Sequence, residues 1–105
     1  MNNFLSVIVP FFGAKKTISM VLEGINKQNL PRDLFEVIII DDSSEENIKD
    51  FILKNKEKFK FNFKIFRNNK NKGSSYSRNF GFKNSKGDTI LFLGGDIIPE
   101  KNLFW

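Results

Sequence analysis

Phe35-Glu36-Val37-Ile38-Ile39-Ile40-Asp41-Asp42-Ser43-Ser44 is the stretch that decides the fold. Its first six residues are mostly β-branched and form the strongest strand in the chain, bounded by two adjacent acids. A carboxylate at such a strand end can accept hydrogen bonds from the ring N–H of a base or from ribose hydroxyls. The alternative is that Asp42 or Ser43 merely caps the helix that follows.

Upstream, Leu5-Ser6-Val7-Ile8-Val9 reads as a buried strand closed by a turn at Pro10. Ile18, Val21, Leu22 and Ile25 then follow helical spacing, predicting an amphipathic helix from about Lys15 to Gln28. The segment from Asn29 to Asp33 leads back to the central strand.

Downstream, Ser43 with Glu46 three residues later has the form of a capping box and predicts a second helix from that point. Ile48, Phe51, Ile52 and Phe59 supply its inner stripe. Phe61, Phe63 and Ile65 alternate with Asn62 and Lys64, the period of a strand with one exposed face. A polar segment follows from Asn68 to Gly73. A third helix is predicted over Ser74 to Asn84, with Tyr76 and Phe80 one turn apart. Lys86-Gly87-Asp88 forms a turn, and Ile90-Leu91-Phe92-Leu93 reads as a buried strand ending at Gly94-Gly95-Asp96.

Strand and helix alternate throughout, which predicts an α/β fold: one domain over residues 1–105, a three-layer sandwich with a mainly parallel, Rossmann-like sheet and right-handed crossovers. Ligands of such sheets bind beyond the carboxyl ends of the strands. Three polar clusters fall at those ends: residues 10–13, Asp41-Asp42-Ser43 and Gly94-Gly95-Asp96. A fourth runs through Asn71-Lys72-Gly73 into Tyr76, Arg78, Asn79 and Gly81. There Gly73 allows close backbone approach, and the N–H groups of a helix start attract phosphate. Asp96, held by a tight turn, can ligate a cation bridging nucleotide phosphates, or can be an ordinary turn residue beside Pro99.

Composition narrows the chemistry. The chain of 105 residues has no Cys and no His, so disulfides, thiolate sites and imidazole chemistry are excluded. Any metal must be held by oxygen, which points to Mg2+ or Mn2+. The net charge of +5 is spread along the chain, densest from Lys54 to Lys72, and reads as solvated lysines rather than a nucleic-acid surface. No stretch reaches the roughly 18 apolar residues of a membrane span. No signal peptide is apparent, so the expected location is the cytoplasm, with peripheral attachment to the inner face of the membrane left open.

Taken together and in order, these stretches resemble the family 2 glycosyltransferases of GT-A fold. The family pattern is a strand into Val-Pro-x-Tyr-Asn, a strand into Asp-Asp-Gly/Ser-Ser, Asn-x-Gly, Ala-Arg-Asn-x-Gly, and a strand ending in Asp-x-Asp. This chain carries Val9-Pro10-Phe11-Phe12-Gly13, Val37 to Ser44, Asn71-Lys72-Gly73, Ser77-Arg78-Asn79-Phe80-Gly81, Lys86-Gly87-Asp88 and Phe92 to Pro99. The resemblance implies a donor-binding half whose partners are a nucleotide sugar, UDP-linked by expectation, and a saccharide or lipid-linked acceptor. It implies that Pro10 and Phe12 line the base pocket, that Asp42 recognises uracil, that Lys72 and Gly73 lie by the diphosphate, and that Asp96 coordinates Mn2+ or Mg2+. The chemistry implied is displacement with inversion, its general base lying beyond Trp105.

Two departures stand out. Gly94 replaces the first Asp of the Asp-x-Asp motif, and Gly13 replaces the customary Asn. The strand at Ile90 to Leu93 is expected to be an open edge, with Leu103, Phe104 and Trp105 uncovered near it, and so to invite self-association. Two other readings compete. A non-catalytic nucleotide-binding module fits Gly94. A receiver-like signalling domain needs an Asp at the end of a later strand, where this chain has Arg67 and Asn68.

Overall fold

The computed structural model describes residues 4–94, 99–100 and 103–104. Four parallel strands, β1 Leu5–Phe11, β2 Phe35–Asp41, β3 Asn62–Arg67 and β4 Thr89–Phe92, stand in the order β3-β2-β1-β4. Helices α1 Lys15–Asn26, α2 Ile48–Lys54 and α3 Ser74–Lys83 connect them. Strand alternation splits the core in two. Val7, Val9, Phe11, Val37 and Ile39 pack with Ile18, Leu22 and Ile52 of α1 and α2. Ile8, Ile38 and Ile40 face α3, with Phe66 and Phe80 packed on them. The predicted three-layer α/β sandwich is thus the observed one. Each fully buried Ile or Val contributes about 1.5–3 kcal/mol, and those of β2 are covered on both faces because helices lie on both.

The third helix sits close to the sheet at one point. A Cβ on Gly81 would come within 2.5 Å of the Ile8 Cγ2 and 2.9 Å of the Ile40 Cδ1. The glycine of the Arg-Asn-x-Gly stretch is therefore a packing residue that lets α3 rest on β1 and β2.

Pro10 does not close β1, contrary to expectation: the strand runs on to Phe11 and keeps its register with β2 to Asp41. The reason is directional. Ile8 turns its carbonyl toward β4, where it accepts from the Leu93 N–H at 2.9 Å. Pro10, two residues on, turns its missing N–H to that same side, beyond the last residue of β4.

The second helix begins later than the Ser43–Glu46 pattern predicts. Its cap is Asn47, whose side chain accepts from the Asp50 N–H at 3.0 Å. Ser43 instead adopts a left-handed backbone with φ of 62°, incompatible with a helix start. Phe59 lies past α2, after a short 3-10 turn, yet still packs on the core. α1 ends at Asn26, two residues before the expected Gln28, and β3 runs one residue past its expected end near Phe66, to Arg67.

Among the described residues β4 pairs only with β1, and it is less buried than its apolar sequence predicts: Phe92 is 48% exposed. An edge strand lacks the neighbour that would cover it. Phe104 corrects a second expectation. It is buried, with its ring 5.2 Å from that of Phe35 and its N–H donating to the Gln28 Oε1 at 3.0 Å, while Leu103 is exposed. Trp105 lies outside the described residues. Among the described residues no helix is long and apolar enough to cross a membrane.

Candidate functional site

The chain runs β1, β2, β3 outward in one direction, then α3 carries it back to the other side of β1. Strand order therefore reverses between β1 and β4, the place where open α/β sheets bind ligands at their carboxyl edge. Pro10 and Phe12 stand at the end of β1, Asp42 at the end of β2, and Lys72 and Gly73 just before α3.

Asp41 and Asp42 are neighbours on opposite faces of the sheet, and both are buried. Asp41 pairs with the Arg67 guanidinium across the β2–β3 register and accepts from the Ser44 N–H at 3.0 Å. Asp42, 5% exposed, collects the polar loop before α3. Its Oδ1 accepts from the Lys72 N–H at 2.7 Å and the Asn68 Nδ2 at 2.8 Å, and its Oδ2 accepts from the Gly73 N–H at 2.9 Å. Asn68 also donates to the Ser77 Oγ at 3.2 Å, tying β3 to α3.

Burial alone would raise the Asp42 carboxyl above its ordinary 3.8, but the hydrogen bonds from Asn68, Lys72 and Gly73, with the Lys72 charge, outweigh it and hold it lower. A carboxylate offers about four acceptor sites. Three are taken, and the remaining one is on Oδ2.

Gly73 occupies φ of 90°, a region closed to most side chains, which turns the chain into α3. All three helices start at this edge, and they differ: α2 is capped by the Asn47 side chain. The first N–H of α1, at Lys15, is taken by the Glu46 Oε1 at 2.9 Å, a carboxylate placed where the helix dipole favours it. The α3 start has no acidic residue in its first turn and no side-chain cap. Its leading N–H groups, which no helical carbonyl reaches, lie beside Lys72, whose ammonium sits 4.8 Å from the Tyr76 ring centroid. Of the three, α3 is the end suited to an anion. Phe12 projects from the β1–α1 loop with its ring 63% exposed, next to Gly13, whose N–H donates to the Ser44 Oγ at 3.0 Å.

The structure thus brings Asp42, Lys72 and Gly73 into direct contact and sets Pro10 and Phe12 on the adjoining strand end. Asp96 and Gly95 lie outside the described residues. Among the described residues no group of three or more acidic side chains gathers for a metal. Asp41 and Asp42 stand on opposite faces of the sheet, and Arg67 and the backbone and amide donors already take most of their acceptor sites. A cavity of about 240 Å3 lies in the α1–α2 groove between Phe51 and Phe59, away from this edge, and another of about 250 Å3 opens at the α1 and α2 starts among Lys15, Glu46 and Asn47.

Sequence reasoning missed Arg67, Ser44, Asn68 and Ser77. Aligning strand ends at a common level would have found the first, since Asp41 and Arg67 are register partners.

Comparison with known proteins agrees with this architecture. The profile of glycosyl transferase family 2 matches residues 6–104. A dolichyl N-acetyl-alpha-D-glucosaminyl phosphate 3-beta-D-2,3-diacetamido-2,3-dideoxy-beta-D-glucuronosyltransferase of Methanococcus voltae is 36% identical over 101 residues, covering 95% of this chain and 31% of that protein. The structure of Staphylococcus aureus TarS 1-349 in complex with UDP superposes with a TM-score of 0.85 at 30% identity, over 96% of this chain and 30% of that one. A mannosyltransferase of Pyrobaculum calidifontis, solved with GDP-Man and Mn2+, shares the fold with a TM-score of 0.83 at 21% identity, over 91% of this chain and 28% of its own. The chain spans about a third of the length of these relatives. Its parallel sheet, its carboxyl-edge clusters and a profile match running nearly end to end lead to one assignment: the chain belongs to glycosyl transferase family 2 and has its GT-A fold.

Proposed function

We propose that this chain forms the donor-binding part of an enzyme that transfers a sugar from a nucleoside-diphosphate sugar, a UDP-sugar in the first instance, to a saccharide or lipid-linked acceptor with inversion. The observation that carries the reading is the Asp42 cradle. One buried carboxylate holds the Lys72 and Gly73 backbone, so that the uncapped start of α3 stands at the carboxyl end of β2. The relative TarS, 30% identical, is known in complex with UDP and with UDP-GlcNAc.

In this reading the uracil stacks on Phe12 and donates its ring N–H to the last acceptor site of Asp42. The diphosphate lies at the α3 N-terminus, where Lys72 swings from Tyr76 to meet it. The substrate is thereby oriented and its leaving diphosphate met by donors fixed beforehand. Asp96 is the residue proposed to hold Mn2+ or Mg2+, which supplies further charge to the diphosphate when bound. The base that deprotonates the acceptor is assigned to none of the described residues. The exposed Phe92 on β4, which among the described residues pairs only with β1, supports self-association of the chain through that edge.

The test is calorimetric titration with UDP and UDP-sugars, with and without Mn2+, on wild type, Phe12→Ala and Asp96→Asn, with light scattering on the same samples. Expected are binding by the wild type, an affinity loss of about tenfold or more for Phe12→Ala, loss of the Mn2+ dependence in Asp96→Asn, and a mass above that of one chain. Absence of nucleotide binding in a folded sample overturns the donor reading, and a monomeric mass at high concentration overturns the self-association.

A further inference from the structure

Arg67 is the largest polar group at the carboxyl edge that the nucleotide reading leaves without a task. Its guanidinium reaches one carboxylate and two carbonyls: Nη1 bonds Asp41 and donates to the Glu46 carbonyl at 3.4 Å, and Nη2 donates to the Ser44 carbonyl at 3.0 Å. Residues 42–47 have no regular structure and include the left-handed Ser43. Besides Arg67, the Asp41 Oδ1 holds this segment through the Ser44 N–H.

What the segment does with that support is specific. The Ser44 Oγ accepts from the Gly13 N–H at 3.0 Å, and the Glu46 Oε1 accepts from the Lys15 N–H at 2.9 Å. These two amides bracket the turn that carries Phe12 into α1. The bonds therefore run in series from β3 through the β2 loop to the β1–α1 loop, all at one level of the sheet. A planar fork with donors at fixed angles can hold three acceptors at once, whereas an ammonium holds a point.

We propose that Arg67 is a positioning residue for nucleotide binding, fixing the Phe12 loop through Asp41 and the Ser44–Glu46 segment. The inference rests on the donor-site reading, since it takes Phe12 to face the nucleoside. It makes Arg67 act at a distance from the ligand, through bonds that a generic stabilising pair would not need.

The test uses the 15N-labelled chain. Amide exchange at Gly13 and Lys15 is compared with that at Val37 and Ile39 in wild type, Arg67→Met, Arg67→Lys and Ser44→Ala, and UDP is titrated into each. Arg67→Met is expected to speed exchange at Gly13 and Lys15 by about tenfold over the β2 amides and to weaken UDP by about the same factor. Arg67→Lys restores part of both, because it keeps the Asp41 pair and loses the two carbonyl bonds. Ser44→Ala releases Gly13 but leaves Lys15 protected, and it carries the test if Arg67→Met does not fold. Exchange at Gly13 and Lys15 that stays in step with β2 in every variant overturns the proposal. So does faster exchange with unchanged UDP affinity. Failure of the wild type to bind UDP overturns the donor reading instead, and the amide data still decide whether Arg67 holds the loop.

Discussion

The two ends of the sheet use the same device to different effect. At the amino end, Glu36 of β2 is 3% exposed. It accepts from the Ser6 hydroxyl at 2.7 Å and the Lys86 N–H at 2.9 Å, with the Lys64 ammonium 3.8 Å away. At the carboxyl end, Asp41 and Asp42 of the same strand gather an arginine, an amide and three backbone N–H groups. Both ends are thus closed by buried carboxylates taking donors from neighbouring loops. The amino end knots a single turn, between α3 and β4, and turns its other Glu36 oxygen to the Lys64 ammonium rather than to an open helix start. The carboxyl end gathers three loops and still presents an exposed aromatic ring, an uncapped helix start and one spare acceptor site. Buried acid alone therefore does not mark a site. What marks it is the set of groups such acids hold in place and leave unused.

Three substitutions separate the ends. The largest effect is expected at Asp41→Asn, which leaves the Arg67 charge without its partner. It should lose about 3 kcal/mol in denaturant unfolding and weaken UDP as well. A variant that loses stability but binds UDP normally would break the link between this pair and the site. Next is Glu36→Ala, expected to cost about 2 kcal/mol by stranding the Ser6 hydroxyl and the Lys86 N–H, with UDP affinity unchanged. A loss of affinity there would erase the distinction between the two ends.

The smallest is Asp42→Asn, at about 1 kcal/mol, and its signature is in the pH dependence. The folded carboxyl is held below 3.8, its ordinary value. Its contribution is therefore complete above pH 3.8 and is lost as pH falls through the lower folded value. The stability gap between wild type and Asp42→Asn should be level from neutral pH to about pH 4 and close below it. A gap that widens on acidification would mean that burial, not hydrogen bonding, governs Asp42.

The strands of this fold were legible because their apolar runs are local: Val37 to Ile40 and Leu5 to Val9 need no partner to be read. So was the coincidence on one edge of the clusters at Pro10 and Asp42, which follows from strand direction alone; the third cluster read there, Gly94-Gly95-Asp96, lies mostly outside the described residues. Ser43 and Glu46 were misread as a capping box because side-chain identity allowed it while backbone geometry did not: Ser43 took the left-handed region and Glu46 turned to another helix. Arg67, Asn68 and Ser77 stayed hidden because their partners are set by register between strands that sequence spacing does not encode. Glu36 is an acid inside a buried run, tolerated because the Ser6 hydroxyl and the Lys86 N–H donate to it.

Pro10 has a consequence of its own. β4 pairs with β1 as far as Phe92 opposite Ile8, two rungs short of Pro10. At that rung β1 has no hydrogen to offer, so a strand in the neighbouring lane finds no donor. Core residues can be exchanged and loops redrawn while this limit on pairing persists, because it is fixed by a ring in the backbone. Replacing that ring with alanine would return the missing hydrogen and give the sheet one more chance to zip itself shut.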